Sequence, residues 1–242
     1  MSVEFAQISI EPAYRKVAAA IGERIVDRSL REGEWLPSET ELARQFGVNR
    51  STVREALREL QSAGLVCRRP GSRRMCVSRP QHAAIAEGVS RGLALHDVTF
   101  LEVWEALTLL EPPIAGAAAG ARTRADILAI TTACGRFAQA AGTQAAVVHV
   151  AEFFRQVGRA THNQVLSLAQ EPLLQLLQPS LRVMIDQVPQ ARARIAAAQR
   201  RITAALQARD CEDARTWMAK HIRDFRKGYE IAKIDLKVRI RA

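Results

Sequence analysis

Residues 36–69 read LPSETELARQFGVNRSTVREALRELQSAGLVCRR, and this stretch predicts two short amphipathic helices joined by a tight turn. Ser38 stands three residues ahead of Glu41, which predicts a capping box at the start of the first helix. Gly47 predicts its end, because glycine adopts the left-handed conformation of a helix C-terminus at little cost. Asn49 is then expected to cap the second helix through its side-chain oxygen.

Each of the two helices has one apolar face. In the first helix the residues expected to face inward are Leu42, Ala43 and Phe46. In the second, recurrence at i, i+4 and i+7 predicts a buried stripe of Val53, Leu57 and Leu60. The residues left facing outward or toward the N-terminal tip are polar or cationic: Arg50, Ser51, Thr52, Arg54 and Arg58. Such a tip fits the major groove of DNA, since arginine can form two hydrogen bonds with guanine and the helix dipole favours phosphate.

The flanking segments favour a DNA-reading module over two ordinary surface helices. Upstream, a third helix with an apolar face is predicted by Val17, Ile21 and Ile25. Downstream, residues 65–68 and 75–77 are short strand candidates around the turn PGSRR at 70–74, which makes a basic hairpin. This hairpin would be a wing, and its candidate DNA-contacting residues are Gly71, Arg73 and Arg74.

Residues 13–80 resemble the winged helix-turn-helix of GntR-type bacterial transcription regulators. The stretches that carry the resemblance are AYRKVAAAIGERIVDRSLREGEWL and PSETELARQFGVNRSTVREALRELQSAGLV. It implies that Arg50 and Arg54 read bases, that the wing tip lies near the minor groove, and that phosphates or base edges are contacted by Asn49, Ser51 and Thr52. Ser38, Thr40 and Arg58 complete the candidate DNA-contacting set. The chain departs from the family where Thr40 replaces a common arginine and where Ser-Arg-Arg at 72–74 replaces a common second glycine.

Composition agrees with a nucleic-acid partner without deciding it. The 242 residues carry a formal net charge of +10, which favours polyanions but would equally suit an RNA-binding protein or an arginine-rich proteome. The chain has no apolar run of about 18 residues, and the N-terminus MSVEFAQISIEP lacks a signal-peptide core. We therefore expect a cytoplasmic protein.

The four cysteines show no CxxC spacing: Cys67, Cys76, Cys134 and Cys211. Cys67 and Cys76 flank the wing turn and are candidates to face each other. A redox role is one hypothesis for this pair, and idle thiols in a reducing cytosol are the simpler interpretation.

The composition changes after Pro80, where Ala- and Leu-rich stretches with helical periodicity begin. The predicted helices are 82–92, 97–120, 123–141, 143–161, 163–187, 190–208 and 211–234. We therefore predict a mainly α protein in two domains. Residues 1–80 would form a winged helix-turn-helix of three helices and a small β-hairpin, and residues 81–242 an all-helical antiparallel bundle.

Residues 95–225 are similar to the FCD effector domain of the FadR branch of GntR-type regulators. The stretches that carry this resemblance are LLEPPIAGAAAGART, FFRQVGRATHN and AAAQRRITAALQARDCEDARTWMAKHI. Many members hold a divalent metal with one Asp and three His, and that metal helps to bind a carboxylate effector. The resemblance implies that residues 81–242 bind an effector and form the dimer.

The positions that would hold this metal have lost most of its ligands. Aligned on Asn163, the family's Asp-x-x-x-His pair falls on Val150 and Phe154, the next histidine falls on Gln199, and His221 alone is retained. One imidazole and one amide do not make a stable ligand set. We predict no metal and no other cofactor.

Two hypotheses for the effector pocket stay open. Leu107 stands where an inward arginine often helps to hold a carboxylate, so the pocket is expected to be less polar than in related proteins. In the first hypothesis a hydrophobic carboxylate, such as a fatty or aromatic acid, contacts Gln199 and His221. The candidate effector-binding residues are Leu107, Val150, Phe154, Asn163, Gln199 and His221. In the second, Phe154 fills the space of the metal and the domain only dimerises.

The resemblance implies a homodimer that binds a palindromic DNA operator, usually as a repressor, under the control of a small-molecule effector. An architectural DNA binder without a ligand is one alternative. An enzyme with a DNA-docking module is another, but the chain has no Gly-rich phosphate loop, no HExxH and no GxSxG. Glu102 and Glu105 form a helical pair that we expect to be solvated or ion-paired.

Overall fold

The computed structural model describes residues 11–240, which divide into two compact units between Gln81 and His82. The N-terminal segment MSVEFAQISIEP, in which we expected no signal-peptide core, lies mostly in residues 1–10 and so outside the described residues. Within residues 11–240, no helix is long and apolar enough to cross a membrane.

The first unit consists of three helices and a two-stranded hairpin. The elements are α1 (Ala13–Val26), α2 (Glu39–Phe46), α3 (Arg50–Ser62), β1 (Val66–Arg68) and β2 (Met75–Val77). β1 and β2 pair in antiparallel register, and a single bridge joins Trp35 to Cys76 of β2. The side chains that close the core come from every element, among them Val17, Ile21, Leu42, Val53, Leu57, Val66 and Val77.

The local signals around α2 and α3 act largely as the sequence predicts. Gly47 takes a left-handed conformation (φ 65°) at the end of α2, and the Asn49 side chain accepts a hydrogen bond from the Thr52 amide at 2.8 Å. The Ser38 hydroxyl accepts from the Glu41 amide at 3.2 Å. The reciprocal half of the capping box is not formed, because the Glu41 carboxylate accepts hydrogen bonds from Arg44 and Gln45 instead.

The prediction that Phe46 faces inward is wrong. Phe46 is the last residue of α2 and 37% of its surface is exposed. Val48, on the other side of the Gly47 turn, packs against the core in this region. Since α2 has only eight residues, Leu42 and Ala43 supply its whole buried face.

The second unit is all helical. Its helices are α4 (His82–Leu95), α5 (Phe100–Ala121), α6 (Arg124–Gln139), α7 (Thr143–Arg159), α8 (Gln164–Gln187), α9 (Ala191–Ala208) and α10 (Cys211–Ile231). Each begins and ends within about three residues of its prediction. Together with the first unit they confirm the predicted fold class of a small winged helix-turn-helix and a helical bundle.

Helix α5 is the central helix of the second unit. It packs against α7, α8, α9 and α10. Its start is fixed by a complete capping box in which Glu102 accepts from the Thr99 amide and hydroxyl. Glu102 is therefore a capping residue, and both it and Glu105 are exposed, as expected for a solvated pair. These packings put the middle of α5 in the deepest part of the domain.

Candidate nucleic-acid interface and buried polar residues

The N-terminal tip of α3 is held by a cluster of hydrogen bonds around Asn49. Its side-chain oxygen accepts from the Thr52 amide at 2.8 Å, from the Thr52 hydroxyl at 2.8 Å and from the Ser51 hydroxyl at 2.7 Å. The two hydroxyls that were predicted to contact phosphates or bases thus also brace the cap. The cluster fixes the tip before any ligand is bound.

The cationic side chains of α3 differ in how they are held. Arg54 donates from Nε at 3.3 Å and from Nη2 at 3.0 Å to the Oε2 atom of Glu39, the first residue of α2. Arg50 and Arg58 are exposed, and neither forms an ion pair with any residue in the range 11–240. Ser38 caps α2, and Thr40 is exposed in its first turn. Arg54 is therefore the oriented cation of this helix.

The wing separates its two predicted arginines. Gly71 has a left-handed φ of 78°, which the tight turn requires, and Ser72 accepts a hydrogen bond from the Arg74 amide at 3.0 Å. The Arg74 Nε donates to the Leu36 carbonyl at 3.2 Å, so this side chain ties the wing to the segment before α2. Arg73 is exposed and forms no ion pair within the described part of the chain.

The two wing cysteines are direct partners across the hairpin. The register pairs Cys67 with Cys76, and both thiols are free. Cys76 is buried while Cys67 is half-buried.

Three of the buried polar side chains of the second unit lie on three helices that pack pairwise: Glu111 on α5, Gln199 on α9 and His221 on α10. Both carboxylate oxygens of Glu111, both side-chain polar atoms of Gln199 and Nε2 of His221 have no hydrogen-bond partner among the described residues. Such groups are rare in folded proteins, since each costs about 1–3 kcal/mol when left unpaired.

Glu111 was missed in the sequence. It is a lone carboxylate in the apolar run LTLLEPPIAGAAAG, and a helical periodicity centred on Leu107, Ile114 and Ala115 places it on the buried face. A single acidic residue on an otherwise apolar helix face is the signal that identifies it. Burial among these apolar residues raises the pKa of Glu111 to about 8.

His221 lies in an aromatic cluster. Its ring stacks on Phe154 with centroids 5.6 Å apart and an angle of 5° between the planes, and it lies 4.6 Å from the ring of Phe225. Burial lowers the pKa of His221 to about 3. Both His221 and Glu111 are therefore uncharged near neutral pH.

The other candidate effector residues divide into two groups. Leu107, Val150 and Phe154 are fully buried in the core of the second unit. Asn163 is exposed and accepts from the Val165 and Leu166 amides as the cap of α8. Its inclusion among the pocket residues is therefore corrected: the helix start determines its side-chain orientation.

A narrow cavity of about 20 Å³ reaches His221 from the surface beside the Arg194–Asp224 ion pair. Its walls are mainly apolar and include Met184, Ile195 and Phe225. A volume of this size holds about one water molecule. A larger molecule would have to widen the cavity.

The residues at the family's metal positions do not fit a metal ion. Val150 and Phe154 have no donor atom, so of these four positions only Gln199 and His221 carry one, and an amide with one imidazole does not make a stable ligand set. Among residues 11–240, no three His, Cys, Asp or Glu side chains group as a metal site. We derive no chemistry through a metal.

Two regions of the chain match known families. Residues 13–74 match the bacterial regulatory proteins of the gntR family, and residues 102–224, about half of the chain, match the FCD domain. A winged helix-turn-helix followed by an all-helical domain of this kind defines a class of two-domain transcription regulators. The chain belongs to the GntR family, in the group that carries an FCD domain. The family consists of regulators and not of enzymes.

Individual relatives agree with this assignment. An uncharacterized HTH-type transcriptional regulator of Mycobacterium tuberculosis is 32% identical over 156 residues, 63% of each chain, so this chain spans less than two thirds of that protein. The Glc operon transcriptional activator of Escherichia coli is 27% identical over 225 residues, 89% of this chain and 88% of the activator. The structure of Streptococcus agalactiae GntR has the same fold, with a TM-score of 0.63 and 23% identity over 88% of this chain and 99% of its own.

Proposed function

We propose that the protein is a repressor that binds a pseudo-palindromic DNA operator as a homodimer. The observation that carries this proposal is the tip of α3, where a braced cap presents Arg50 and Arg54 in the first two turns of the helix, with Arg58 one turn further along the same exposed face. Two such helices related by a two-fold axis would enter successive major grooves about 34 Å apart. Such a dimer would repress transcription without a further partner where its operator overlaps a promoter, because the bound dimer excludes the polymerase.

Selection of binding sites from a random duplex library tests the DNA-binding part of this proposal. We expect enrichment of two half-sites related by two-fold symmetry and separated by about one helical turn. Enrichment of a single asymmetric site, or of none, would contradict it. A reporter gene driven from the selected operator then determines the sign of regulation, which matters because the Glc operon relative is by its name an activator.

We propose further that a small hydrophobic carboxylic acid binds inside the second unit without a metal. Supporting this are the unpartnered polar atoms of Glu111, Gln199 and His221 in apolar surroundings. A protonated Glu111, the Gln199 amide and the His221 ring can each donate a hydrogen bond to a carboxylate oxygen. The bound acid would favour one arrangement of the bundle and so change the affinity for the operator.

A second candidate function is DNA binding that no ligand controls. The observation that favours it is the size of the cavity at His221, about 20 Å³, with Phe154 stacked on the imidazole. In that case the second unit would serve dimerisation alone.

Calorimetry separates the two candidates. Straight-chain and aromatic carboxylic acids are titrated in the presence of a chelator into the wild-type protein and into His221→Phe, which keeps the stack on Phe154 and removes the ring nitrogens. Tyr229→Phe is the control, since it also removes one buried polar atom from α10 but does not change a residue of the cavity wall. Heat that His221→Phe alone abolishes supports an acid effector. Absence of heat for every acid supports the ligand-independent protein. Zinc is titrated separately without the chelator, and tight zinc binding through the bundle overturns the metal-free proposal.

A further inference from the structure

The ion pair between Glu39 and Arg54 joins the two helices of the helix-turn-helix across 15 residues of sequence. The Glu39 side chain is 22% exposed and that of Arg54 is 52% exposed. Both hydrogen bonds go to the same carboxylate oxygen. The Glu39 carboxylate therefore holds the Arg54 guanidinium along the edge that carries Nε and Nη2.

The edge of the guanidinium that Glu39 occupies differs from the edge that reads a base. Arginine has five N–H groups in a rigid planar fork. Glu39 takes the Nε edge, which leaves three N–H groups on Nη1 and Nη2, two of them along the outer edge. A pair of N–H groups on that outer edge is what a guanine requires for bonds to O6 and N7. Reading a base and pairing with Glu39 are therefore compatible.

The other arginines of α3 have no such partner. Arg50 and Arg58 are exposed and form no ion pair within residues 11–240. An unrestrained arginine can turn to any nearby phosphate, which adds affinity without sequence information. The carboxylate of Glu39 would also repel phosphates and so weaken binding to DNA of any sequence.

We propose that Glu39 is a positioning residue that sets sequence specificity: it orients Arg54 toward a base edge and restrains it from contacting phosphates. This proposal rests on the proposed DNA-binding function. It assigns to an acidic side chain of α2 a role in recognition by α3. Its effect should appear in the ratio of operator affinity to non-specific affinity.

The test compares Glu39→Gln with Glu41→Gln by fluorescence anisotropy on the selected operator and on a scrambled duplex of equal length. Both variants remove one negative charge from the first turn of α2, but Glu41 pairs with Arg44 inside the same helix. We expect Glu39→Gln to lower the specificity ratio about tenfold, and Glu41→Gln to raise affinity for both duplexes equally. Equal ratios in the two variants would overturn the proposal.

A double-variant cycle distinguishes positioning from a general effect on the fold. If Glu39 acts through Arg54, Glu39→Gln has no effect on the ratio in an Arg54→Ala background. A further decrease of the specificity ratio in that background would show that Glu39 has a role independent of Arg54, and it would overturn the proposal. If the wild-type chain itself prefers no duplex, the DNA-binding function has failed. If the wild-type chain discriminates and Glu39→Gln discriminates equally well, only the positioning role has failed.

Discussion

The tip of α3 and the interior of the second unit differ in how their key polar side chains are held: Asn49 and Arg54 at the tip have hydrogen-bond partners, whereas Glu111 and Gln199 in the interior have none among the described residues. Asn49 accepts three hydrogen bonds, and Arg54 has a carboxylate partner although it is half exposed. Glu111 and Gln199 are completely buried and unpaired among the described residues. A braced surface can bind without reorganising. Unpaired interior groups instead lower the stability of the free protein, and a ligand that pairs them would recover that energy.

The largest expected effect is the pH dependence of stability that Glu111 confers. Folded Glu111 keeps its proton up to a pH of about 8, whereas in the unfolded chain it is released near 4.5. The folded state therefore retains this proton through the window, and the contribution of Glu111 to the free energy of unfolding falls by on the order of 4 kcal/mol as the pH rises from about 4.5 to about 8. Urea unfolding at several pH values measures it.

Glu111→Gln is the matched variant, since it is neutral at every pH and has nearly the same shape. Relative to the wild type, it should gain stability as the pH rises from about 4.5 to about 8. His221 has the opposite sign: its pKa is about 3 when folded and about 6.5 when unfolded, so it lowers the free energy of unfolding as the pH falls through that range. The two effects oppose each other below about pH 6.5, and the net decline of the wild type should therefore lie between about 6.5 and 8. Parallel pH profiles for Glu111→Gln and the wild type would show that the carboxyl ionises normally in the folded protein.

The next largest effect is expected at the tip. Arg54→Ala should weaken operator binding about 30- to 100-fold and leave the proposed dimer intact, because it removes from an exposed position the guanidinium that we propose reads a base. Fluorescence anisotropy measures the affinity for the operator, and analytical ultracentrifugation measures the oligomeric state. Arg44→Ala is the control, since Arg44 is an exposed arginine that pairs only with Glu41 of its own helix. If operator affinity survived in Arg54→Ala, the reading role would belong to another side chain.

The same contrast explains what the sequence predicts well. Gly47, Asn49 and the ends of the helices depend on interactions within a few residues, so their types and spacing suffice. Glu39, Arg74 and Glu111 depend on partners, or on the lack of partners, in distant segments. Their residue types are compatible with a solvated surface, and only the packed structure assigns them. The prediction that Phe46 faces inward was wrong for a related reason, since the length of α2 and the turn after it decide which side chain completes the core.

A smaller effect tests whether the tip is braced independently of DNA. Asn49→Ala removes the acceptor for three donors at the start of α3 and should lower the free energy of unfolding by about 1 kcal/mol. Asn49→Asp retains an oxygen at this position and should lose much less. Thermal or urea unfolding in the absence of DNA measures both. Equal stability of Asn49→Ala and the wild type would mean that the cap contributes nothing before DNA is bound.

The smallest expected effect lies in the wing, where the structure distinguishes two adjacent arginines. Arg73→Ala should weaken binding to any duplex slightly and lower the slope of log affinity against log salt by about 0.9, the loss expected for one phosphate contact, without changing stability. Arg74→Ala removes a hydrogen bond to the Leu36 carbonyl, so it should also lower the free energy of unfolding by about 1 kcal/mol. Salt titrations and unfolding curves on both variants separate the two roles. If Arg73→Ala lowered the free energy of unfolding, or if Arg74→Ala left it unchanged, the two roles would be reversed. Arg74 would then be the arginine of the wing that contacts DNA.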